Sequence, residues 1–322
     1  MSLLVLGARE VEELLDMRQC IAAMTDVLAA LARDELFQPL RQIMQPPGAE
    51  TLIATMPAHR GGAAPLYALK EIVIAPGNPT RGLDSHQGGV LLHDGVTDEL
   101  VALLNASPIT AIRTAAVSAV ATRALARPDA RVVAILGAGV QARAHVEAMR
   151  AVLDDPEIRI WSRTADNARA IADELGATAA ASAEQALADA DVICTVTTSR
   201  EPILRREWLS DGAHVNAVGS SSPAARELDS ATVASAALFV DRRESALHES
   251  GDYLIPLGEG AITSDHIRAE LGEVLIGSRS GRGGADELTV FKSLGIGVED
   301  LAAAALVVRE ARARGFGVEV DF

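Results

Sequence analysis

Residues 131–142 read RVVAILGAGVQA and run without a gap into ARAHVEAMRAVL, residues 142–153. A Val- and Ile-rich run, a glycine turn and an amphipathic helix in direct succession form the strand–turn–helix of a dinucleotide-binding βαβ unit. Gly137 permits the tight turn, and Gly139 lets the backbone come close to a pyrophosphate. Ala142 lets the helix pack closely on the strand, and the positive helix N-terminus points at the anion. Gly137, Ala138, Gly139, Val140 and Gln141 are therefore expected to line the pyrophosphate of a dinucleotide cofactor.

Cofactor choice is read at the end of the second strand, about 20 residues on, where an acidic residue would hold the ribose 2′-hydroxyl of NAD. Here residues 161–164 read WSRT. Ser162, Arg163 and Thr164 supply a cation and two hydroxyls and no carboxylate, which suits a 2′-phosphate and favours NADP over NAD.

Outward from this unit, EIRIWS (157–162), DVICTV (191–196), HVNAV (214–218) and ALFVD (237–241) recur as short β-rich runs between helical stretches. That rhythm predicts a parallel sheet with helices on both faces. ADNARAIADEL (165–175) is expected to end at Gly176 in a left-handed cap. The Ala-rich ATAAASAEQALADA (177–190) reads as helix. Before Ala130 the pattern predicts a helix over Val11 to Ala32, strands at Thr51–Met56 and Leu66–Ala75, and a hairpin near Gly88–Leu104. The final helix, VEDLAAAALVVREARARG (298–315), has no sheet partner of its own and should pack back on this first α+β unit.

At 322 residues the chain suits two domains. No apolar run of about 18 residues predicts a membrane span, and the N-terminus lacks the pattern of an export signal, so the expected location is the cytoplasm. A net charge of −15 repels phosphate backbones and anionic lipid surfaces, so neither nucleic acid nor membrane is an expected partner. Cys20 and Cys194 form no C-x-x-C pair and the seven histidines show no ligand spacing, so no metal is predicted.

The basic residues are 27 arginines and only two lysines, Lys70 and Lys292. Where a side chain merely carries surface charge the two types are nearly interchangeable. A lysine is required where the cation must be compact, or must release a proton after burial lowers its pKa. Lys70, in the strand-like LYALKEIVIA (66–75), is directed into the protein by its apolar neighbours. A lysine snorkelling from a strand edge is the alternative. Lys292, in TVFKSLG, is the weaker candidate for chemistry.

LDSHQGGVLLHD (83–94), ITAIRTAAVSAVATRALARPDA (109–130), AILGAGVQARAH (134–145) and TVFKSLGIGVED (289–300) together resemble the ornithine cyclodeaminase and mu-crystallin family. The resemblance implies an α/β fold in which a Rossmann-like NAD(P)-binding domain, 114–297, is inserted in an α+β substrate-binding and dimerisation domain, 1–113 plus 298–322. It also implies a homodimer. Arg41, Lys70 and Arg113 match the family's substrate site, where guanidinium groups grip an α-carboxylate and the lysine exchanges a proton with the substrate nitrogen. By the same similarity Ser85, His86, Thr114, Val218 and Ser293 should lie near the cofactor, and Met56 should contact substrate.

One departure bears on the reaction. Cyclodeaminases of the family carry an aspartate after the strand-ending V-G, whereas AVGSSSPAAREL (217–228) has Ser221 there, expected at the substrate. A hydroxyl cannot act as a carboxylate base at neutral pH. The serine, the R-E-L-D stretch of Arg226–Asp229 and VDRRESALHESGD (240–252) resemble the ketimine reductase branch. The expected function is NAD(P)H-dependent reduction of an imine, or dehydrogenation of a small amino acid, at the C–N bond. The alternatives are a cyclodeaminase that keeps NAD bound and a non-enzymatic binder of a small ligand. The low aromatic content, 3%, favours a small or aliphatic substrate.

Overall fold

The computed structural model describes residues 2–322. By internal contacts the chain divides into Met1–Arg113 with Gly295–Phe322, and Thr114–Leu294. The helix Ala106–Leu125 crosses that division after Arg113.

In the first unit, the long strands Leu52–Arg60, Leu66–Ile74, His86–Asp94 and Leu100–Asn105 form an antiparallel meander. The strand Ser2–Leu6 extends it in parallel beside Leu100–Asn105, and Val318–Asp321 pairs with Ser2–Leu6 at the edge. Alternation along the strands buries Ala54, Met56 and Ala58, then Ala68, Lys70 and Ile72, then Val90 and Leu92, on one face. The C-terminal helix Gly297–Arg314 packs on three of these strands and on the helix Met17–Ala32. It ends at Gly315 in the left-handed conformation, and the strand Val318–Asp321 that follows, which the sequence pattern does not predict, joins the first sheet.

The N-terminal helix expected over Val11–Ala32 is two helices, Ala8–Leu14 and Met17–Ala32. Asp16 breaks it, because its carboxylate accepts a hydrogen bond from the Gln19 amide at 2.9 Å and caps the second helix. The Ala-rich stretch 177–190 is also less helical than its composition implies. Thr178–Ala179 adds to the sheet edge, and Ser182 caps a short helix confined to Ala183–Leu187. Sheet pairing and a cap override alanine's propensity there.

The second unit holds, among the described residues, an eight-stranded parallel sheet. Its order is Thr178–Ala179, Glu157–Trp161, Val132–Leu136, Val192–Thr195, His214–Ala217, Thr289–Lys292, Ala237–Val240, Ile267–Glu270. Strand order reverses between Val132–Leu136 and Val192–Thr195, the topological switch point at which such sheets bind ligands beyond their carboxyl ends. Thr289–Lys292 and Ala237–Val240 are buried at every position because they lie inside a sheet with covered faces, whereas the edge strand Ile267–Glu270 alternates.

Two buried histidines brace this unit, His214 between two strands of the sheet and His145 between two helices. His214 bonds Thr289 Oγ1 (2.9 Å) and Asn216 Oδ1 (3.2 Å), and His145 bonds Ser118 Oγ (3.0 Å) and the Gln141 carbonyl (2.8 Å). Burial pushes their pKa values down, to about 3 for His214 and about 4 for His145. Both are neutral when folded and take up protons on unfolding below the ordinary histidine pKa. Stability is therefore complete above about pH 7 and falls as pH drops through 6.5, by about 2 kcal/mol per histidine at pH 5. Denaturant melts at pH 7.5 and 5.0 measure it, and His214→Gln, if folded, should remove part of the difference.

Candidate active site

Lys70 lies in the middle of Leu66–Ile74, an interior strand, opposite Met56 on one neighbour and Val90 on the other. Its side chain is 1% exposed, so it does not snorkel from an edge. Nζ sits 2.7 Å from Oδ2 of Asp300. The other oxygen of Asp300 accepts from Arg113 Nε at 3.0 Å, and Arg113 Nη1 donates to Glu299 Oε2 at 2.7 Å. Asp300 thus bridges the lysine and the arginine, in the first turn of Gly297–Arg314 where the helix dipole favours an anion.

Both arginines converge on Gly295. Arg41 Nη2 donates to its carbonyl at 3.0 Å. Gly295 has φ +74°, and a Cβ there would come 2.4 Å from Arg113 Nη1, so only glycine leaves the guanidinium in place. Arg41, Lys70 and Arg113 thus bring three cationic side chains together with the carboxylates of Glu299 and Asp300.

Burial lowers the Lys70 pKa to about 8; the Asp300 charge opposes that shift, and Arg113 and Arg41 reinforce it. The amine is thereby poised to give or take a proton near neutrality. Ser85 and His86 belong to the same unit. His86 opens the strand His86–Asp94, so it is not in a loop as its glycine-rich context suggests. Its Nδ1 lies 3.0 Å from Ser85 Oγ, and burial followed by the Lys70 charge lowers its pKa. His86 is a neutral neighbour of this cation group.

The second unit carries the residues expected to line a dinucleotide. Gly137 has φ +139°, and a Cβ there would lie 2.7 Å from the Val196 carbonyl oxygen. Gly139 faces open space, caps Val140–Val152 without a side-chain bond, and is followed by Val140, an exposed valine at the helix N-terminus. Ala142 is fully buried under the helix. Ser293, at the carboxyl end of Thr289–Lys292, is buried with no hydrogen-bond partner for its Oγ among the described residues. A glycine-only turn, an open helix N-terminus and an orphaned hydroxyl at the ligand end of a parallel sheet fit a dinucleotide. Ser162, Arg163 and Thr164 follow the strand Glu157–Trp161, Arg163 being exposed, and Thr114 is buried on the long helix. Val218 and Ser221 follow His214–Ala217, with Ser221 exposed in a different unit from Lys70.

Sequence reasoning missed Glu299, Asp300 and Gly295. The signal was present in GIGVEDLAAAALVV: two acids open a helix whose first half is buried all round, and buried acids require partners.

A dinucleotide-binding parallel sheet, in one chain with a unit that buries a lysine between an aspartate and arginines, defines the NAD(P)-dependent oxidoreductases as the class. Within that class the chain belongs to the ornithine cyclodeaminase/mu-crystallin family, whose model matches residues 1–315. It is 43% identical over 274 residues to the ketimine reductase mu-crystallin of Mus musculus, covering 84% of each chain. Among solved structures it is similar to the Thermococcus litoralis Δ1-pyrroline-2-carboxylate reductase in complex with NADH and L-proline. That match has a TM-score of 0.93 and 36% identity, and covers 98% of this chain and 100% of the other. It is also similar to an archaeal alanine dehydrogenase dimer with bound NAD, with a TM-score of 0.94 and 30% identity over the whole of both chains. No helix among the described residues is long and apolar enough to cross a membrane.

Proposed function

We propose that the protein reduces the C=N bond of a small α-imino acid to the amino acid, with NAD(P)H as hydride donor. The observation that carries this reading is Lys70, buried to 1% exposure, bonded to Asp300 and grouped with Arg113 and Arg41. When bound, NAD(P)H supplies the hydride to the imine carbon. Arg41 and Arg113 hold the α-carboxylate, Lys70 Nζ gives its proton to the nitrogen, and Asp300 stabilises the ammonium before transfer. Met56, paired opposite Lys70, presents an apolar surface to the side chain of a small aliphatic substrate. Ser221, a hydroxyl at the position of the cyclodeaminases' aspartate, favours reduction over ring closure with loss of ammonia. Oxidation of NADPH or NADH on addition of Δ1-pyrroline-2-carboxylate, or of an α-keto acid with ammonia or methylamine, tests the reading. No oxidation with any of these, together with proline formed from ornithine, overturns it.

NADPH is the preferred donor in this reading, although the solved relatives above hold NADH and NAD. Support comes from Arg163, exposed at the strand end and paired with no carboxylate among the described residues. Arg163→Ala should lower the NADPH-to-NADH ratio of kcat/KM about tenfold while NADH turnover changes less than about twofold.

The protein works as a cytoplasmic homodimer in this reading. The sheet face opposite Lys70 leaves Leu69, Val73, Leu91 and Leu103 half-buried and Tyr67 exposed, an apolar surface suited to a second copy. Light scattering should give twice the chain mass, and Leu91→Arg should give the monomer.

A further inference from the structure

Lys292 is the other lysine kept in an arginine-rich chain. It closes the strand Thr289–Lys292 and is 1% exposed. Nζ lies 3.0 Å from Asp252 Oδ2 and donates to the Ser220 carbonyl at 2.5 Å. Asp252 Oδ1 accepts from the amides of Glu227 (2.8 Å) and Leu228 (3.0 Å). Glu227, fully buried, accepts from Thr195 Oγ1 (2.8 Å), from the amide and hydroxyl of Thr197 (2.7 Å each) and from the Gly219 amide (2.7 Å). One cation and two carboxylates therefore hold the backbone at Gly219 and Ser220 and again at Glu227 and Leu228, the two ends of one loop.

Between those ends the exposed run Ser221–Ala224 has little packing of its own. Its fixings are again buried: Ser220 Oγ donates to the Ala225 carbonyl at 2.5 Å, and the Gly251 amide donates to the Ser222 carbonyl at 3.1 Å. A Cβ on Gly219 would lie 2.1 Å from the Thr197 carbonyl oxygen, and one on Gly251 2.0 Å from that of Ala225, so both approaches demand glycine. Stability alone is a poor reason for such a cluster, because apolar residues often fill the same volume at no loss. An arginine's broad fork does not match a site that needs one compact ammonium between a carbonyl and a carboxylate.

The loop held by this frame follows His214–Ala217, at the carboxyl end of the sheet and across the switch point from the 137–141 turn. A dinucleotide bound at a switch point spans both halves of the sheet. With the pyrophosphate at residues 137–141 and the adenosine ribose at residues 162–164, the remaining half extends toward this loop. We propose that Lys292, with Asp252 and Glu227, is a positioning residue that fixes Val218–Ser222 as the wall against which the nicotinamide ring is held for hydride transfer. The proposal rests on the reductase reading given above.

The test uses the full chain as Lys292→Met, Lys292→Arg and Glu227→Gln, the last keeping size and shape should Lys292→Met fail to fold. Amide exchange in the 217–228 segment should speed by roughly tenfold in Lys292→Met and Glu227→Gln. Turnover of the folded protein should fall about tenfold or more, while KM for the imino acid and Kd for NADPH stay within about threefold. Lys292→Arg should not restore turnover. Unchanged exchange, or unchanged kcat in a folded Lys292→Met, overturns the proposal. Wild-type protein that binds NADPH but reduces no imine overturns the functional reading instead, and the exchange measurement still judges the frame.

Discussion

Lys70→Met is expected to lower kcat for imino-acid reduction by about three orders of magnitude, within the range for loss of a positioned general acid, and to leave NADPH affinity unchanged. Gly137–Gln141 and Ser162–Thr164, to which the proposed function assigns the dinucleotide, lie in the other unit of the chain, so cofactor binding has no reason to follow Lys70. The wild-type enzyme should show kcat/KM for reduction falling as pH rises through about 8, where the buried ammonium loses its proton. Oxidation of the amino acid needs the neutral amine and should rise over the same interval. Lys70→Arg should not rescue activity, because guanidinium keeps its proton throughout. Stopped-flow kinetics and NADPH fluorescence titration read both halves, and near-normal turnover in Lys70→Met would remove the lysine from the chemistry.

Asp300→Asn should have the next largest effect. Its carboxylate is shared by Lys70 and Arg113, and the Asp300 charge holds the lysine's pKa above where burial alone would set it. Removing that charge lowers the Lys70 pKa further, so the high-pH limb of the reduction profile should move to lower pH and activity at pH 7.5 should fall about a hundredfold. It also leaves two buried cations with less compensation, which should destabilise the fold by about 3 kcal/mol or more. Glu299→Gln serves as the comparison. It too loses a bond to Arg113, but the charge that holds up the Lys70 pKa is that of Asp300, so it should weaken substrate binding with a smaller shift of the pH limb. An unshifted limb in Asp300→Asn, with the protein folded, would contradict the role given to Asp300.

Much of this was legible in the amino-acid sequence because its signals are local. The RVVAILGAGVQA turn, the left-handed cap at Gly176 and the strand holding Lys70 each follow from neighbouring residues, and the structure places all three where their patterns point. The scarcity of lysine was informative for the same reason: it marked two positions, and both side chains are buried ion partners. What remained hidden depends on residues far apart in the chain. Asp300 meets Lys70 only because Gly297–Arg314 returns onto the first sheet, and Glu227 meets Gly219 only after the loop between them has closed. Where local propensity spoke alone, in the Ala-rich stretch 177–190 and across Asp16, sheet pairing and capping prevailed.

The central claim, net hydride transfer to an imine carbon, is tested most directly with NADPH deuterated at both C4 positions and Δ1-pyrroline-2-carboxylate, the product being analysed by mass spectrometry. The account predicts proline carrying one deuterium at Cα, one NADPH consumed for each proline formed, and no labelled product from Lys70→Met. No proline formed from Δ1-pyrroline-2-carboxylate and no NADPH consumed, while the same protein converts added ornithine to unlabelled proline with release of ammonia, would contradict it.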